Sequence, residues 1–299
     1  MKPRFSVIIP TRDRSGPLRQ CLRALEQLDY EKDRFEVIVV DDGGAGQDLA
    51  DELKEGTTID VRWIRLSENR GPAAARNEGA VNARSGFLAF LDDDCIPESS
   101  WLRQLGEVLE RTPCLAVGGK VVNGCTRNIY AEVNQTILDE AYWYYNADHA
   151  HARFFATMNF AVSAEGFRQV GGFNPEFRTS EDRDFCARWL KHGLPMVYAE
   201  GAQVVHQAAP GLREFWNRHY QFGRGAYQYR KLHASGASGR VSLESPGFYL
   251  RLLLSPRRRY TGFKALLASG LCGLSQFASA LGFWAAHRRQ RRSMAPSRC

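Results

Sequence analysis

Short apolar runs alternate with segments of helical periodicity through the first half of the chain. Apolar residues recur at helical spacing between the runs, as at Leu18, Leu22 and Leu25. Five runs have the length and near-continuous apolar character of strands covered on both faces: Phe5–Ile9, Phe35–Val40, Val61–Leu66, Phe87–Leu91 and Leu115–Val122. The alternation predicts an α/β fold in which helices flank a mostly parallel sheet.

The pattern changes twice further along the chain. It becomes irregular and aromatic between residues 123 and 165, and acidic residues almost disappear after Pro210. Residues 1–210 carry 24 basic and 31 acidic side chains, a net charge of −7, whereas residues 211–299 carry 16 and 2, a net charge of +14. We therefore predict an α/β domain over residues 1–210 and a basic, partly hydrophobic helical region over residues 211–299.

Composition excludes several classes of protein. With 44% hydrophobic and 24% charged residues, the chain can bury a core and is not wholly disordered. Its seven cysteines are scattered without a C-x-x-C pair, which argues against a disulfide framework or a zinc knuckle and favours a reducing compartment. The first apolar run, Phe5–Ile9, is too short for a signal-peptide core, so we expect the body of the protein in the cytosol.

Polar side chains follow three of the predicted strands at the point where each strand ends. The first strand runs into Pro10, Thr11 and Arg14, the second into Asp41-Asp42-Gly43-Gly44, and the fourth into Asp92-Asp93-Asp94. Open α/β sheets bind ligands at this edge. Asp92 and Asp94 suit Mg²⁺ or Mn²⁺, which take few carboxylates and complete their coordination with water and phosphate oxygens. The sequence contains no P-loop, EF-hand or G-x-G-x-x-G spacing.

Six motifs in a fixed order resemble the family 2 glycosyltransferases. They are Ser6–Thr11, Val39–Gly43, Asn69–Asn77, Phe90–Asp94, Gly171–Asn174 and Ser180–Asp184, and they cover roughly residues 4–210. The resemblance implies the GT-A fold, which is Rossmann-like, and an inverting transfer of a sugar from a nucleoside diphosphate-sugar. Gly43-Gly44 stands where the family usually has Gly-Ser, and this departure affects only the local turn.

The resemblance also implies roles for individual residues. Asp42 corresponds to the carboxylate that reads the base, most often uracil, and Asp93 to a ribose contact. Asp92 and Asp94 correspond to the metal-binding pair, with Asp94 the more direct ligand. The remaining nucleotide-side positions implied by the motifs are Pro10, Thr11, Arg14, Gly71 and Arg76.

A base that accepts the proton of the acceptor hydroxyl completes such a mechanism. Asp182 corresponds to the family's base, although an acidic residue there also suits the first turn of a helix. Glu181 is expected to orient Asp182 or to contact the acceptor. His206 is either a third metal ligand or a hydrogen-bonded histidine at a strand end. Trp143, in the aromatic stretch, is either an acceptor-stacking surface or part of the core.

The C-terminal region combines basic clusters with an uncharged segment. Ala265–Ala286 contains 22 residues without a charge, but 12 of them are Ala, Gly or Ser, which makes membrane insertion marginal. We expect a helix that lies in or re-enters the cytosolic leaflet, with a true span and a soluble packed helix as alternatives. The basic residues predict attachment to an anionic membrane surface, and nucleic acid is not an expected partner because no binding module accompanies them.

These features together predict an enzyme at the cytoplasmic face of the membrane. We expect it to transfer a sugar from a UDP-sugar to a hydroxyl of a lipid-linked or cell-surface glycan in cell-envelope polysaccharide biosynthesis. The alternatives are a polyprenyl-phosphate sugar synthase, whose acceptor needs no deprotonation, and a non-catalytic nucleotide-sugar-binding scaffold. Asp182 argues against the first alternative, and the intact set of Asp92, Asp94 and Asp182 argues against the second.

Overall fold

A computed structural model describes residues 4–44, 57–112, 115–234 and 244–294 of the chain. These residues form two compact units. The first contains residues up to Gly124 together with Tyr145–Ala208, and the second contains Cys125–Tyr144 together with the residues from Ala209 onward. The predicted domain boundary at residue 210 stays a prediction, and the second unit also includes residues 125–144.

The first unit is built on one sheet of eight described strands in the order β3-β2-β1-β4-β7-β6-β8-β5. The strands are β1 (Phe5–Thr11), β2 (Phe35–Asp41), β3 (Asp60–Arg65), β4 (Phe87–Leu91), β5 (Cys95–Pro97), β6 (Ala116–Asn123), β7 (Asn159–Ser163) and β8 (Met196–His206). Strands β1 and β2 are buried at nearly every position, as their continuous apolar runs predict.

Parallel pairing brings the ends of β1, β2 and β4 to one edge of the sheet. In the register of β1 and β2, Thr11 lies opposite Asp41, while β4 pairs on the other side of β1. The predicted α/β class and GT-A architecture are confirmed. The sheet is mixed, because β7 runs antiparallel to both β4 and β6, and β5 runs antiparallel to β8.

Helices cover the faces of this sheet. They are α1 (Ser15–Glu26), α2 (Pro72–Val81) and α3 (Trp101–Leu109), followed after a fourth helix by α5 (Ala164–Val170) and α6 (Glu181–Lys191). Apolar residues of α1 at helical spacing, among them Leu18, Leu22 and Leu25, are buried as predicted. Helix α2 approaches β1 closely, because Gly79 lies so near the Ile8 side chain that a Cβ there would overlap it. The helices thereby fix the strand ends that carry the polar residues.

The second unit is helical in its described part. Its helices are α4 (Ile129–Tyr145), α7 (Leu212–Leu232), α8 (Pro246–Leu254), α9 (Pro256–Arg259) and α10 (Gly262–Met294). The last residue of α4, Tyr145, belongs to the first unit. Val133, Phe215, Ala268, Leu271 and Cys272 form its buried apolar cluster. Ion pairs join α4 to the later helices, as between Lys264 and Glu132 at 2.8 Å.

Helix α10 has the length and apolar character needed to cross a membrane. Its segment Gly262–Arg291 has a mean hydropathy of 1.4 over its most apolar stretch, of which 28% is buried. One such helix is weak evidence for a membrane span, because a core helix of a soluble protein has the same properties. The five described cysteines, Cys21, Cys95, Cys125, Cys186 and Cys272, are free thiols, while Cys114 and Cys299 lie outside the described residues.

Candidate functional site

The carboxylates after β4 meet the polar end of β1. The hydroxyl of Thr11 donates to Asp93 Oδ2 at 2.7 Å, and the Arg14 guanidinium donates to Asp93 Oδ1 at 2.6 Å and to Asp94 Oδ2 at 2.8 Å. Both aspartates are buried, whereas the Arg14 side chain is 45% exposed. Burial raises the pKa of Asp93 to about 6, against the opposing effects of Arg14 and Thr11. The predicted nucleotide-side residues Thr11 and Arg14 are therefore in direct contact with the aspartate cluster.

Strand pairing places His206 beside Asp94. The antiparallel register of β5 and β8 sets Cys95 opposite His206, and the His206 Nε2 atom lies 3.5 Å from Asp94 Oδ2. Burial works to raise the pKa of Asp94, but the interactions with His206 and Arg14 outweigh it and hold that pKa well below its ordinary value. Asp94 therefore presents an ionised carboxylate next to an imidazole nitrogen.

Arg76 connects the aspartate cluster to the predicted catalytic helix. It lies on α2, is buried, and donates to Asp92 Oδ1 at 2.6 Å and to Glu181 Oε1 at 3.0 Å. The Phe173 ring lies 6.0 Å from its guanidinium carbon. The two carboxylates keep the pKa of Arg76 raised although burial opposes this. Its position makes Arg76 a link between two parts of the site rather than a freely exposed cation.

Asp182 stands in the first turn of α6, next to Glu181. Ser180 precedes the helix in the left-handed backbone region at φ +70°, and the N–H of Arg183 donates to Asp182 Oδ1 at 2.7 Å. Burial, followed by the charge of Glu181, raises the pKa of Asp182 to about 7. A carboxylate with that pKa is a stronger base than an ordinary aspartate and still exchanges protons near neutral pH.

Asp42 organises the loop that begins α2. Its two carboxylate oxygens accept hydrogen bonds from the backbone N–H groups of Arg70, at 2.7 Å, and Gly71, at 2.8 Å. Gly71 has φ +91°, a backbone conformation that suits glycine, and precedes Pro72 at the first helical turn. The two predicted residues are thus joined directly, and the role of Asp42 toward a base stays a prediction.

The motif around Gly171–Asn174 has a structural partner in α2. The Asn77 side chain donates to the Phe173 carbonyl at 2.7 Å and accepts from the Phe173 N–H at 2.9 Å. Because Asn77 follows Arg76 directly, one turn of α2 holds both the segment before α6 and the Glu181 carboxylate. This pairing explains why two motifs so far apart in the sequence occur together.

The structure also brings in residues that sequence reasoning missed. Arg178 lies against Gly71 and donates to Asn69 Oδ1 at 2.7 Å. Arg183 donates to the Tyr145 hydroxyl at 2.8 Å. Arg183 lies inside the Ser180–Asp184 motif and Arg178 lies two residues before it, but neither partner could be predicted, because both partners are distant along the chain.

The other predicted positions lie as follows. Pro10 is half-buried on β1 opposite Val40 of β2. Trp143 belongs to the second unit and is half-exposed, with the Arg251 guanidinium carbon 3.2 Å from its ring centre. Trp143 is therefore not a core residue of its unit, and its role toward an acceptor stays a prediction.

The residues near Asp94 fit a divalent metal ion of the kind that the family implies. Asp94 and His206 offer an oxygen and a nitrogen on converging side chains, a donor pair that suits Mn²⁺. The described residues contain no group of three or more His, Cys, Asp or Glu side chains arranged to hold a metal. An ion at Asp94 would thus take most of its ligands from water and phosphate, as Mg²⁺ and Mn²⁺ commonly do.

Comparison with known proteins identifies the family of the chain. Residues 6–170, more than half of the chain, match the model of glycosyl transferase family 2. The chain belongs to glycosyl transferase family 2. The match covers four of the six motifs, while Gly171–Asn174 begins directly after its end and Ser180–Asp184, which contains Asp182, lies further along the chain.

Two relatives illustrate the similarity. The chain is 30% identical over 225 residues to the pre-mycofactocin glycosyltransferase of Mycobacterium tuberculosis, covering 74% of this chain and 46% of that protein. It is 28% identical over 234 residues to glycosyltransferase AglE of Haloferax volcanii, covering 76% and 74%. The chain thus spans about half the length of the mycobacterial relative.

Solved structures share the fold at low sequence identity. The mannosyltransferase PcManGT from Pyrobaculum calidifontis, in complex with GDP-Man and Mn²⁺, matches 98% of this chain and 88% of its own with a TM-score of 0.65 and 17% identity. S. aureus TarS 1-349 in complex with UDP matches 97% and 92% with a TM-score of 0.54 and 17% identity. These likenesses show the GT-A fold of this family 2 chain.

Proposed function

We propose that this family 2 chain is an inverting, metal-dependent glycosyltransferase that uses a nucleoside diphosphate-sugar. The observation that carries the proposal is the link through Arg76, which joins Asp92 of the metal-binding motif to Glu181 beside Asp182. One buried side chain thus couples the donor side of the site to the helix that carries the base. A scaffold that only bound a nucleotide would not need the contact between Arg76 and Glu181, which lies beside the proposed base.

Asp94 and His206 would hold Mg²⁺ or Mn²⁺ together with the donor. The ion would neutralise the negative charge that develops on the departing diphosphate. Asp42 and Asp93 would face the nucleoside, since one borders the Gly71 loop and the other contacts Thr11. A UDP-sugar is the donor we propose, supported by the TarS structure with UDP; the GDP-Man complex of PcManGT defines the competing donor.

Asp182 would accept the proton of the attacking hydroxyl. The acceptor oxygen forms its bond to the anomeric carbon as the bond from that carbon to the diphosphate oxygen breaks, and the configuration inverts. A carboxylate with a pKa near 7 matches the requirement for a general base at neutral pH. This favours a hydroxyl acceptor over a polyprenyl phosphate, whose oxygen is already ionised.

The acceptor and the place of action complete the proposal. We propose a lipid-linked or cell-surface glycan as acceptor and the cytoplasmic face of the membrane as the location. The excess of basic residues after residue 210 supports this location, because anionic lipid attracts basic segments.

A panel of nucleotide-sugars tests the proposal. Thermal stabilisation and donor hydrolysis are measured with UDP- and GDP-sugars, each with Mn²⁺ and with EDTA. We expect one UDP-sugar, in the presence of Mn²⁺, to stabilise the protein against thermal unfolding and to be hydrolysed by it. Both effects should be lost with EDTA. Asp94→Asn should behave like EDTA treatment, while Asp148→Asn, an exposed aspartate paired with His151, is the control. Binding without hydrolysis or transfer would contradict the enzyme proposal, and unchanged activity in EDTA would contradict the metal.

A further inference from the structure

Helix α10 has two chemically different faces. The side chains that pack inward are mostly small, and they include Ala268, Ser275 and Ala278. A row of large apolar side chains lies exposed on the opposite side: Phe263, Leu266, Leu267, Phe277 and Trp284. At 100° per residue these positions fall within an arc of about 100° on one side of the helix, which we call the apolar stripe. Phe263 is 78% exposed, Leu266 61% and Phe277 58%, so the stripe is unusual for a surface in water.

Helix α8 extends this apolar surface. Its residues Leu250, Leu253 and Leu254 are also exposed. A Cβ at Gly273 of α10 would lie 3.8 Å from a methyl carbon of Leu253, so α8 borders the same side of α10. The two helices together offer a broad apolar surface rather than scattered single residues.

Arginines stand at both ends of the apolar stripe. Arg257 and Arg258 are exposed before α10 begins, and Arg288, Arg289 and Arg291 are exposed in its last turns. No carboxylate among the described residues forms an ion pair with Arg257, Arg258, Arg289 or Arg291. The Arg288 guanidinium carbon lies 3.6 Å from the centre of the Trp284 ring, a pairing that suits the boundary between lipid headgroups and acyl chains.

The inner face of α10 is committed to α7. A Cβ at Gly223 of α7 would overlap the backbone carbonyl of Ser279, and a Cβ at Gly282 would overlap that of Tyr220. The Ser279 hydroxyl also donates to the His219 carbonyl at 3.0 Å. Helix α7 carries Arg218, Arg224 and Arg230, so α10 could not cross a bilayer without placing these charges in or beside the hydrocarbon, which is costly.

We propose that this face docks on an anionic lipid bilayer with α10 parallel to the membrane surface. The apolar stripe and the exposed leucines of α8 enter the headgroup and acyl boundary, and the flanking arginines contact lipid phosphates. This inference deepens the proposed membrane association and does not depend on the catalytic step. A second copy of the chain fits the face less well, because the same arginine clusters would meet each other across the interface.

Vesicle binding of the full-length chain tests the apolar stripe. Sedimentation is measured with vesicles of phosphatidylcholine alone and with added phosphatidylglycerol. We expect binding to the anionic vesicles, and a loss of more than about tenfold when Leu266→Gln, Leu267→Gln and Phe277→Gln are combined. Val81→Gln, at an apolar residue that is 82% exposed on α2, should bind like the unmodified chain. Thermal unfolding and donor-induced stabilisation check that the triple variant is folded.

The arginines and the orientation need separate measurements. Arg257→Gln combined with Arg258→Gln should weaken binding to anionic vesicles by about fivefold for each charge and leave the weak binding to phosphatidylcholine unchanged. A carbonate wash at high pH should release the bound chain, because it does not span the bilayer.

Four outcomes would overturn the proposal. They are absence of vesicle binding by the unmodified chain, full binding by the triple variant, resistance to the carbonate wash, and self-association through the stripe in place of vesicle binding. Donor hydrolysis in solution is followed in parallel. Loss of hydrolysis with intact vesicle binding would refute the enzyme proposal alone, and the reverse would refute the docking proposal alone.

Discussion

At the scale of single residues, Arg76 determines how the site holds together. The sequence motif implied a contact with the nucleotide, but the structure gives both ends of its guanidinium to carboxylates, Asp92 and Glu181. Periodicity cannot reveal such a partner, because Glu181 is 105 positions away from Arg76. The sequence motif therefore predicts that Arg76 belongs to the site, but only the fold shows which residues it contacts.

Arg76→Gln should destabilise the fold strongly. The substitution leaves Asp92 and Glu181 without their shared cation, and breaking a buried ion pair in this way costs about 3–5 kcal/mol. Urea unfolding monitored by circular dichroism gives the change in the free energy of unfolding. Arg103→Gln, which removes the exposed pairs with Asp29 and Glu107, should change it by less than about 1 kcal/mol. Equal losses in both variants would show that Arg76 has no such bridging role.

Asp182→Asn should lower the rate of transfer by at least about a hundredfold while leaving donor binding nearly unchanged, because only the proton acceptor is lost. Calorimetric titration with the donor and Mn²⁺ measures the binding. Glu176→Gln, at a nearby exposed carboxylate, is a control for the change of charge. Full activity of the Asp182→Asn enzyme would remove Asp182 from the mechanism.

The pH dependence follows from the raised pKa of Asp182. The base form must be deprotonated, so kcat/KM should rise as the pH increases toward about 7 and level off above it. Glu181→Gln removes the neighbouring negative charge and should therefore shift the rising part of the pH–rate profile to lower pH. Measuring kcat/KM against pH for both enzymes checks this shift. If the rising part of the profile lies at the same pH in both, a group other than Asp182 titrates.

At the scale of elements, the close crossing of α7 and α10 depends on two glycines. Gly223→Ala should destabilise the protein by about 1–3 kcal/mol, because the added methyl group would overlap the Ser279 carbonyl. Gly270→Ala lies on the same helix pair, where a Cβ meets nothing within 4 Å, and should stabilise by up to about 1 kcal/mol. Thermal unfolding of the two variants gives the comparison. Opposite signs are expected, and a neutral Gly223→Ala would contradict the tight crossing.

The elements also show which parts of the fold the sequence could predict. Strands β1, β2 and β4 follow from their apolar runs, and the carboxylates after them meet as expected at one edge. Strand β7 begins with Asn159, whose buried side chain accepts from Trp101 and donates to two backbone carbonyls, so its polarity hid a central strand. Strand β5 has only three residues, too few for a pattern, although its pairing brings His206 to Asp94.

At the scale of the whole molecule, charge is divided between the two units. Residues of the second unit include 17 Lys and Arg against 5 Asp and Glu, whereas the first unit has 23 against 28. An acidic unit can still bind a diphosphate when a metal ion lies between them, so the net charge of +7 says little about the substrate. The opposite signs suit two different phosphate-bearing partners.

Salt should separate these two kinds of binding. Raising the ionic strength shortens the screening length from about 10 Å at 0.1 M to about 3 Å at 1 M. We expect vesicle binding to fall steeply with added NaCl, because exposed arginines contribute to it, while donor affinity at saturating Mn²⁺ should change much less. Sedimentation and calorimetry over the same salt series provide the measurements. Equal slopes for the two processes would argue against the division of roles.

The Arg76 bridge has a consequence for synthesis on the ribosome. Glu181 leaves the peptidyl transferase centre 105 residues after Arg76, which corresponds to roughly 5–20 s at usual translation speeds. Once Asp92 has been added, 16 residues after Arg76, the nascent chain contains both Asp42 and Asp92 but still lacks the Glu181 carboxylate that the folded site requires. The N-terminal half can therefore collapse early, yet its final closure must wait for α6 to emerge. A translational pause or a chaperone acting within this interval would shield Arg76 until Glu181, its second carboxylate partner, has been synthesised.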